Sequence, residues 1–143
     1  MNREIKFRGK CSPKSKYKGE WVTGSLVIPE QIQDNEVLIV MAHSDSCKST
    51  YHVDKDTIGQ YTGQQDINGK DIYEGDILKV PNTPGMCAVV EWNSVINAMC
   101  IRFEDEENCS STTLGEILSI LKIVVIGNIY DNPELIKKYA HET

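Results

Sequence analysis

The sequence contains no Cys-x-x-Cys pair, and its five cysteines, Cys11, Cys47, Cys87, Cys100 and Cys109, are odd in number. Both facts argue against a zinc ribbon and against a disulfide framework, and leave free thiols kept reduced. Long apolar runs are missing too. The longest, residues 117–126, is broken by Ser119 and Lys122, and the first six residues lack the apolar core of a signal peptide. No membrane association is expected, and the protein is expected to stay where it is made. No Gly-x-Gly-x-x-Gly or phosphate loop is present, so no cofactor is expected. Neither an internal repeat nor a linker interrupts the 143 residues, which predicts a single domain over 1–143 with a core of its own.

Positive charge is scarce except at one end. Residues 1–20 hold seven Lys/Arg and two Glu, a local +5, so the net −6 leaves −11 on the other 123 residues. A field of that sign repels nucleic acid, and any nucleic-acid contact would have to be made by the first twenty residues. Aromatic rings alternate with charge there, in Lys6-Phe7-Arg8, Lys16-Tyr17-Lys18 and then Trp21. Lys6, Arg8, Lys10, Lys16, Tyr17 and Lys18 are therefore the candidate binding surface, able to pair with phosphates and stack on bases. The competing and preferred reading is a lysine-decorated edge that resists strand addition, with Phe7 and Trp21 in the core. A third reading sets the basic end against the acid run Glu104-Asp105-Glu106-Glu107 of another copy.

Along the chain, period-two alternation marks a strand at Ile5–Arg8, and a polar stretch from Gly9 to Lys18 then ends it. Trp21–Ile28 is the returning strand, with Val22, Leu26 and Ile28 on one face and Gly24 marking a bulge or a close backbone approach. Val37–Met41 is apolar throughout, as in a strand covered on both faces, and residues 50–53 form a shorter one. After the turn at Pro84-Gly85, Cys87–Trp92 returns on Ile77–Val80, and Ala98–Phe103 follows. Thr113 and Glu116 form a capping box for a helix over about 113–121, and Asn132 with Pro133 starts another over about 133–140. The fold class is mainly β, hairpin-rich, with a small-barrel-like meander and two short helices. Chains of this kind leave strand edges that a second copy can satisfy.

Four glycines and an Asn-Gly pair punctuate residues 59–80. Asn68-Gly69 suits a type I′ turn with Asp66 bonding its own backbone, and Gly75-Asp76 makes a second reversal. The run Gly59-Gln60-Tyr61-Thr62-Gly63, Asp66, Asn68-Gly69-Lys70, Ile72-Tyr73-Glu74-Gly75-Asp76-Ile77 resembles the signature of the YopX family of bacteriophage and prophage proteins. The segments 3–10, 19–26 and 126–135 resemble that family in the same order. The signature residues carried over are Gly59, Tyr61, Gly63, Asp66, Asn68, Gly69, Tyr73, Gly75 and Asp76. The resemblance implies a phage setting in a bacterial cytoplasm and brings no particular chemistry with it.

Three constellations could carry chemistry. Asp66-x-Asn68-Gly69 matches part of a calcium loop, but Gly75 stands where the bidentate glutamate belongs, and an Asx-turn accounts for the same residues. His43, Cys47 and His52 offer zinc donors without an evident fourth ligand. Asp71, Glu74 and Asp76 crowd around Tyr73, and paired carboxylates can serve as acid and base when burial splits their pKa values. No metal and no catalytic residue are assigned. The preferred function is a non-catalytic phage or prophage accessory protein that acts by self-association, as a homo-oligomer, and by contact with a host or phage protein. A nucleic-acid binder using the basic hairpin is the alternative, and a hydrolase using the carboxylate cluster is a second.

Overall fold

The computed structural model describes residues 2–31, 35–44, 47–83, 85–103 and 112–136. The chain forms two compact units, residues 1–61 and 62–143. It is mainly β, as the glycine-punctuated sequence predicts, and among the described residues no helix is long and apolar enough to cross a membrane.

In the first unit, β1 (Phe7–Lys10), β2 (Trp21–Val27), β3 (Glu36–Ser44), β4 (Cys47–Asp54) and the start of β5 (Gly59–Gln65) form an antiparallel sheet in the order β4-β3-β2-β1-β5. Alternate residues point to one face and build a core of Cys11, Val22, Val37, Ile39 and Val53, with Phe7, Leu26, Met41, Tyr51 and Ile58 against it. Gly24 marks the close approach expected of it, because a Cβ there would lie 2.2 Å from the Val40 carbonyl oxygen. The sheet curls until Cys11, just past β1, makes a bridge to Val53 of β4.

Four expectations for this unit need correction. β1 starts at Phe7 and runs through Gly9 and Lys10, while Ile5 lies outside it and exposed. Cross-strand pairing of Lys10 with Trp21 puts the indole on the same face as Arg8 and Lys10, away from the core. Val37 and Ile39 are buried but Leu38 and Val40 only half so, which makes β3 a strand with one covered face rather than two. Ile28 falls beyond β2 and is exposed, off the face that buries Val22.

In the second unit, β6 (Asp71–Tyr73) follows β5. Then β7 (Asp76–Lys79), β8 (Cys87–Asn93), β9 (Ala98–Phe103) and β10 (Val124–Asn128) make a sheet in the order β10-β7-β8-β9. The meander β7-β8-β9 is the one predicted, and it stays an open sheet rather than a closed barrel. Helix α1 (Leu114–Ile120) carries the predicted capping box: the Thr113 hydroxyl accepts from the Glu116 N–H and the Glu116 carboxylate from the Thr113 N–H. Leu114 and Ile117 on its inner face join Ile72, Leu78, Ala88, Val90, Ile101, Ile123 and Val125 in the core. Residues 134–136 are helical, and the rest of the predicted 133–140 helix lies outside the described residues, as do Cys109 and the acid run 104–107.

Strand edges are closed more thoroughly than a hairpin-rich sequence suggests. The Ser12 N–H donates to the His52 carbonyl on β4, and the Ile101 N–H on β9 donates to the Thr112 carbonyl. On β10 the edge N–H of Val125 donates to the Asp66 carboxylate. Such caps blunt strand addition at those points.

Candidate functional site

The family-like signature folds as a set of backbone anchors. Asp66 ends β5's turn side with its main-chain N–H donating to the Lys70 carbonyl and its carbonyl accepting from Gly69. Its side chain is buried. Oδ1 accepts from the N–H groups of Asn68 and Lys70, both at 2.9 Å, and Oδ2 from that of Val125 at 3.0 Å. Burial alone would raise this carboxyl, but the amides of Val125, Lys70 and Asn68, with the Lys70 charge, outweigh it and hold the pKa below the usual range.

The reversal at this point differs from the one predicted. Gly69 has φ 80°, while among the described residues the positive-φ non-glycine residues are Asn35, Asn82 and Asn97, so Asn68 is on the negative side. Ile67 and Asn68 are the central pair of a type I turn closed by the Gly69 N–H on the Asp66 carbonyl, and Gly69 follows as a left-handed bulge. A second anchor lies six residues on. Gly75, φ 86°, donates to the Val90 carbonyl and accepts from the Ile129 N–H, and buried Asp76 accepts from the Tyr73 N–H at 2.8 Å.

The closing segment 126–135 repeats the device. The Asn128 Oδ1 accepts from the N–H groups of Tyr130 and Asp131, and the Asn132 Oδ1 accepts from the Asn128 N–H. Asn132 thus turns its side chain back onto β10, and its carbonyl accepts from Leu135, so it starts the following turn by its backbone rather than by a side-chain cap.

The remaining sequence candidates are scattered. Of the carboxylate trio, Asp71 accepts from the Gln65 side chain, Asp76 holds Tyr73, and Glu74 sits on the turn between β6 and β7. Gly59 and Tyr61 are buried in β5, and Gly63, φ 85°, is exposed further along it. Cys47 is exposed and His52 pairs with Glu36, while the His43 side chain lies outside the described residues. Among the described residues no three His, Cys, Asp or Glu side chains gather as metal ligands would.

The six basic-end candidates do not all share one face. Lys6, just before β1, lies over the Tyr61 ring at 4.7 Å, and Arg8 on the outer face of β1 lies over Trp21 at 4.9 Å, so the protein's own cation covers the indole that was offered for stacking on bases. Lys6 also pairs with Glu4. Tyr17, with Lys16 over its ring, packs edge-on against Tyr51, which faces the core. Lys10 and Lys18 do converge, on a cavity of about 240 Å³ with Cys11, Pro13, Gly19, Asp54 and Thr57. Burial, and then the Glu20 carboxylate, push the Cys11 thiol up, which keeps it protonated and unreactive.

One cluster has no signal in the sequence, because its members are far apart in the chain. Buried Ser12 donates through its hydroxyl to Glu36 Oε1, and Glu36 Oε2 lies 3.3 Å from His52 Nδ1. The carboxylate stands between serine and histidine, so the imidazole does not face the hydroxyl as it does in a serine–histidine–carboxylate triad. It fastens the loop after β1 to β3 and β4.

Two antiparallel sheets and a signature given over to backbone anchoring define a mainly β protein whose recurring residues build the fold. The chain belongs to the YopX family, whose model, described as YopX protein, matches residues 6–137. No curated protein matches it. The crystal structure of protein EF1440 from Enterococcus faecalis is similar in fold, with a TM-score of 0.56 and 21% identity over 94% of this chain and 99% of that one.

Proposed function

We propose that the protein is a phage or prophage accessory protein of the bacterial cytoplasm, non-catalytic, acting by association with itself and with a host or phage protein. The observation that carries this reading is where the chemistry of the signature goes. Asp66 and Asp76 are both buried on backbone amides, and the surface left over includes large apolar side chains, with Trp92, Val95 and Ile96 together at the β8–β9 turn and Val95 89% exposed. Exposed apolar side chains grouped in this way are common at contact surfaces. Light scattering over a wide range of concentration and salt tests the self-association. An assembly that grows with concentration is expected, and a single-chain mass at every condition would remove that part of the reading.

Nucleic-acid binding is the second reading, and the convergence of Lys10 and Lys18 on one cavity supports it. It requires a short oligonucleotide to bind more weakly as salt rises, with the slope reduced in Lys10→Ala and Lys18→Ala. Binding that ignores salt, or no binding at low salt, would remove it.

A further inference from the structure

The sequence holds a single Asn-Gly pair, Asn68-Gly69, and it stands at the tip of the signature hairpin with both residues exposed. An asparagine followed by glycine carries its own electrophile and nucleophile. The backbone nitrogen of the glycine attacks the side-chain carbonyl carbon of the asparagine, and glycine has no side chain to screen that nitrogen. The approach is open here as well, with nothing within 4 Å of where a Gly69 Cβ would stand. The folded turn opposes the attack. The Gly69 N–H, whose proton must leave before the nitrogen bonds to carbon, donates to the Asp66 carbonyl at 3.0 Å. Asp66 Oδ1 accepts from the N–H groups of Asn68 and Lys70, both at 2.9 Å, and so grips the chain on either side of Gly69. A type I turn also sets the Gly69 nitrogen toward the Asn68 nitrogen instead of the Asn68 Cβ, so closing a five-membered ring needs the Cα–C bond to turn by about a third of a revolution.

We propose that Asn68 is a site of spontaneous deamidation, which the Asp66 anchor keeps latent in the folded protein. When the turn opens, water or hydroxide takes the Gly69 amide proton and the nitrogen forms a bond to Asn68 Cγ. The bond from Cγ to the side-chain nitrogen breaks, and that nitrogen leaves as ammonia with a proton from solvent. Water then opens the five-membered imide at either carbonyl, leaving aspartate or isoaspartate at position 68. One water is consumed and one ammonia released, with no change of oxidation state. Either product sets a new carboxylate beside the buried Asp66 carboxylate, and like charges repel strongly where water is scarce. Isoaspartate also lengthens the main chain between the two amides that Oδ1 holds. The same side chain accepts from the Val125 N–H, 59 residues on, so a lesion at the hairpin tip loosens β10.

Incubation at mildly alkaline pH tests it, with peptide mass spectrometry reading the conversion of amide to acid at each asparagine. A reaction that proceeds from an opened state follows the population of that state. Conversion at Asn68 is expected to be at least about tenfold slower in the folded wild type than in the wild type unfolded by urea. Asp66→Ala, with its fold checked by circular dichroism, is expected to convert at least about tenfold faster than the folded wild type. The milder Asp66→Asn, which keeps one acceptor oxygen, should also be faster and serves where the alanine variant does not fold. Asn93, which ends β8 in the same unit and precedes Ser94, is the internal control and should keep its rate in both variants. Equal conversion at Asn68 in folded and unfolded wild type, or in the wild type and both variants, would overturn the proposal. Acceleration at Asn93 equal to that at Asn68 would assign the protection to the unit as a whole, and would overturn the role of the anchor.

Discussion

The two units are held together by different means. In residues 1–61 long ladders dominate: β3 and β4 stay paired from Glu36 opposite Asp54 to Ser44 opposite Cys47, and β2 runs antiparallel beside them. In residues 62–143 the strands β6 and β7 have three and four residues, too short to hold by pairing alone, and buried side chains take up the task. Asp66 reaches three backbone amides, one of them 59 residues away, and Asp76 and Asn128 secure the next turns. A ladder distributes its stability over many equivalent bonds, whereas an anchor concentrates it in one side chain. The units should therefore respond differently to single substitutions.

Asp66→Ala is expected to have the largest effect. It strands three backbone donors, the Val125 N–H fully buried, at a loss of about 3–5 kcal/mol, since each buried unsatisfied donor costs about 1–3 kcal/mol. Native-state hydrogen exchange would show protection lost at residues 124–128 and kept at 37–41. Equal loss in both places would mean that the units unfold as one and would break the comparison. The pH dependence follows from the same carboxyl. Its pKa in the folded protein lies below the unfolded value of about 3.9, so its contribution is fully present above that value and disappears as pH falls through the folded one. Urea midpoints measured from neutral to strongly acidic pH should fall more steeply for the wild type than for Asp66→Ala.

Gly24→Ala tests whether a ladder has any single weak point. A Cβ 2.2 Å from a backbone oxygen cannot be relieved by rotating a side chain, so β2 and β3 must separate locally, at about 2–3 kcal/mol. Protection should fall at residues 25–27 and 38–40 while residues 124–128 keep theirs. A neutral substitution would mean that the sheet has slack there which the register does not reveal.

What could be read from the sequence follows the same division. The hairpins of the first unit, the meander, the α1 capping box and Gly24 were all visible, because alternation, turn residues and capping pairs are local. Trp21 was misplaced because an aromatic residue beside Val22 gives no sign of which face a sheet will bury. Only the register with Lys10 decides it. The anchors were half visible. Asp66 was read as bonding its own turn, which it does, but its third bond, to Val125, spans too much chain for any local pattern to show. Ser12, Glu36 and His52 escaped notice for the same reason, and of the residues proposed as one surface, Tyr17 is carried by the turn after β1 away from the face of Arg8 and Lys10 and onto Tyr51.

The smallest expected effect separates two turn types at the signature hairpin. Gly69 has φ 80° with nothing within 4 Å of where a Cβ would stand, so Gly69→Val is penalised by backbone conformation alone, about 1–2 kcal/mol. Asn68 is the more telling position. In a type I′ turn it would need positive φ, and glycine there would be neutral or better. In the type I turn with a following bulge, Asn68 has negative φ, and Asn68→Gly adds only unfolded-state freedom, a loss of about 0.5–1 kcal/mol. Thermal unfolding of the two variants side by side reads this directly. Destabilisation at both positions, larger at Gly69, is the outcome the geometry requires, and a stabilised Asn68→Gly would restore the type I′ turn and loosen the hold of Asp66 on the loop.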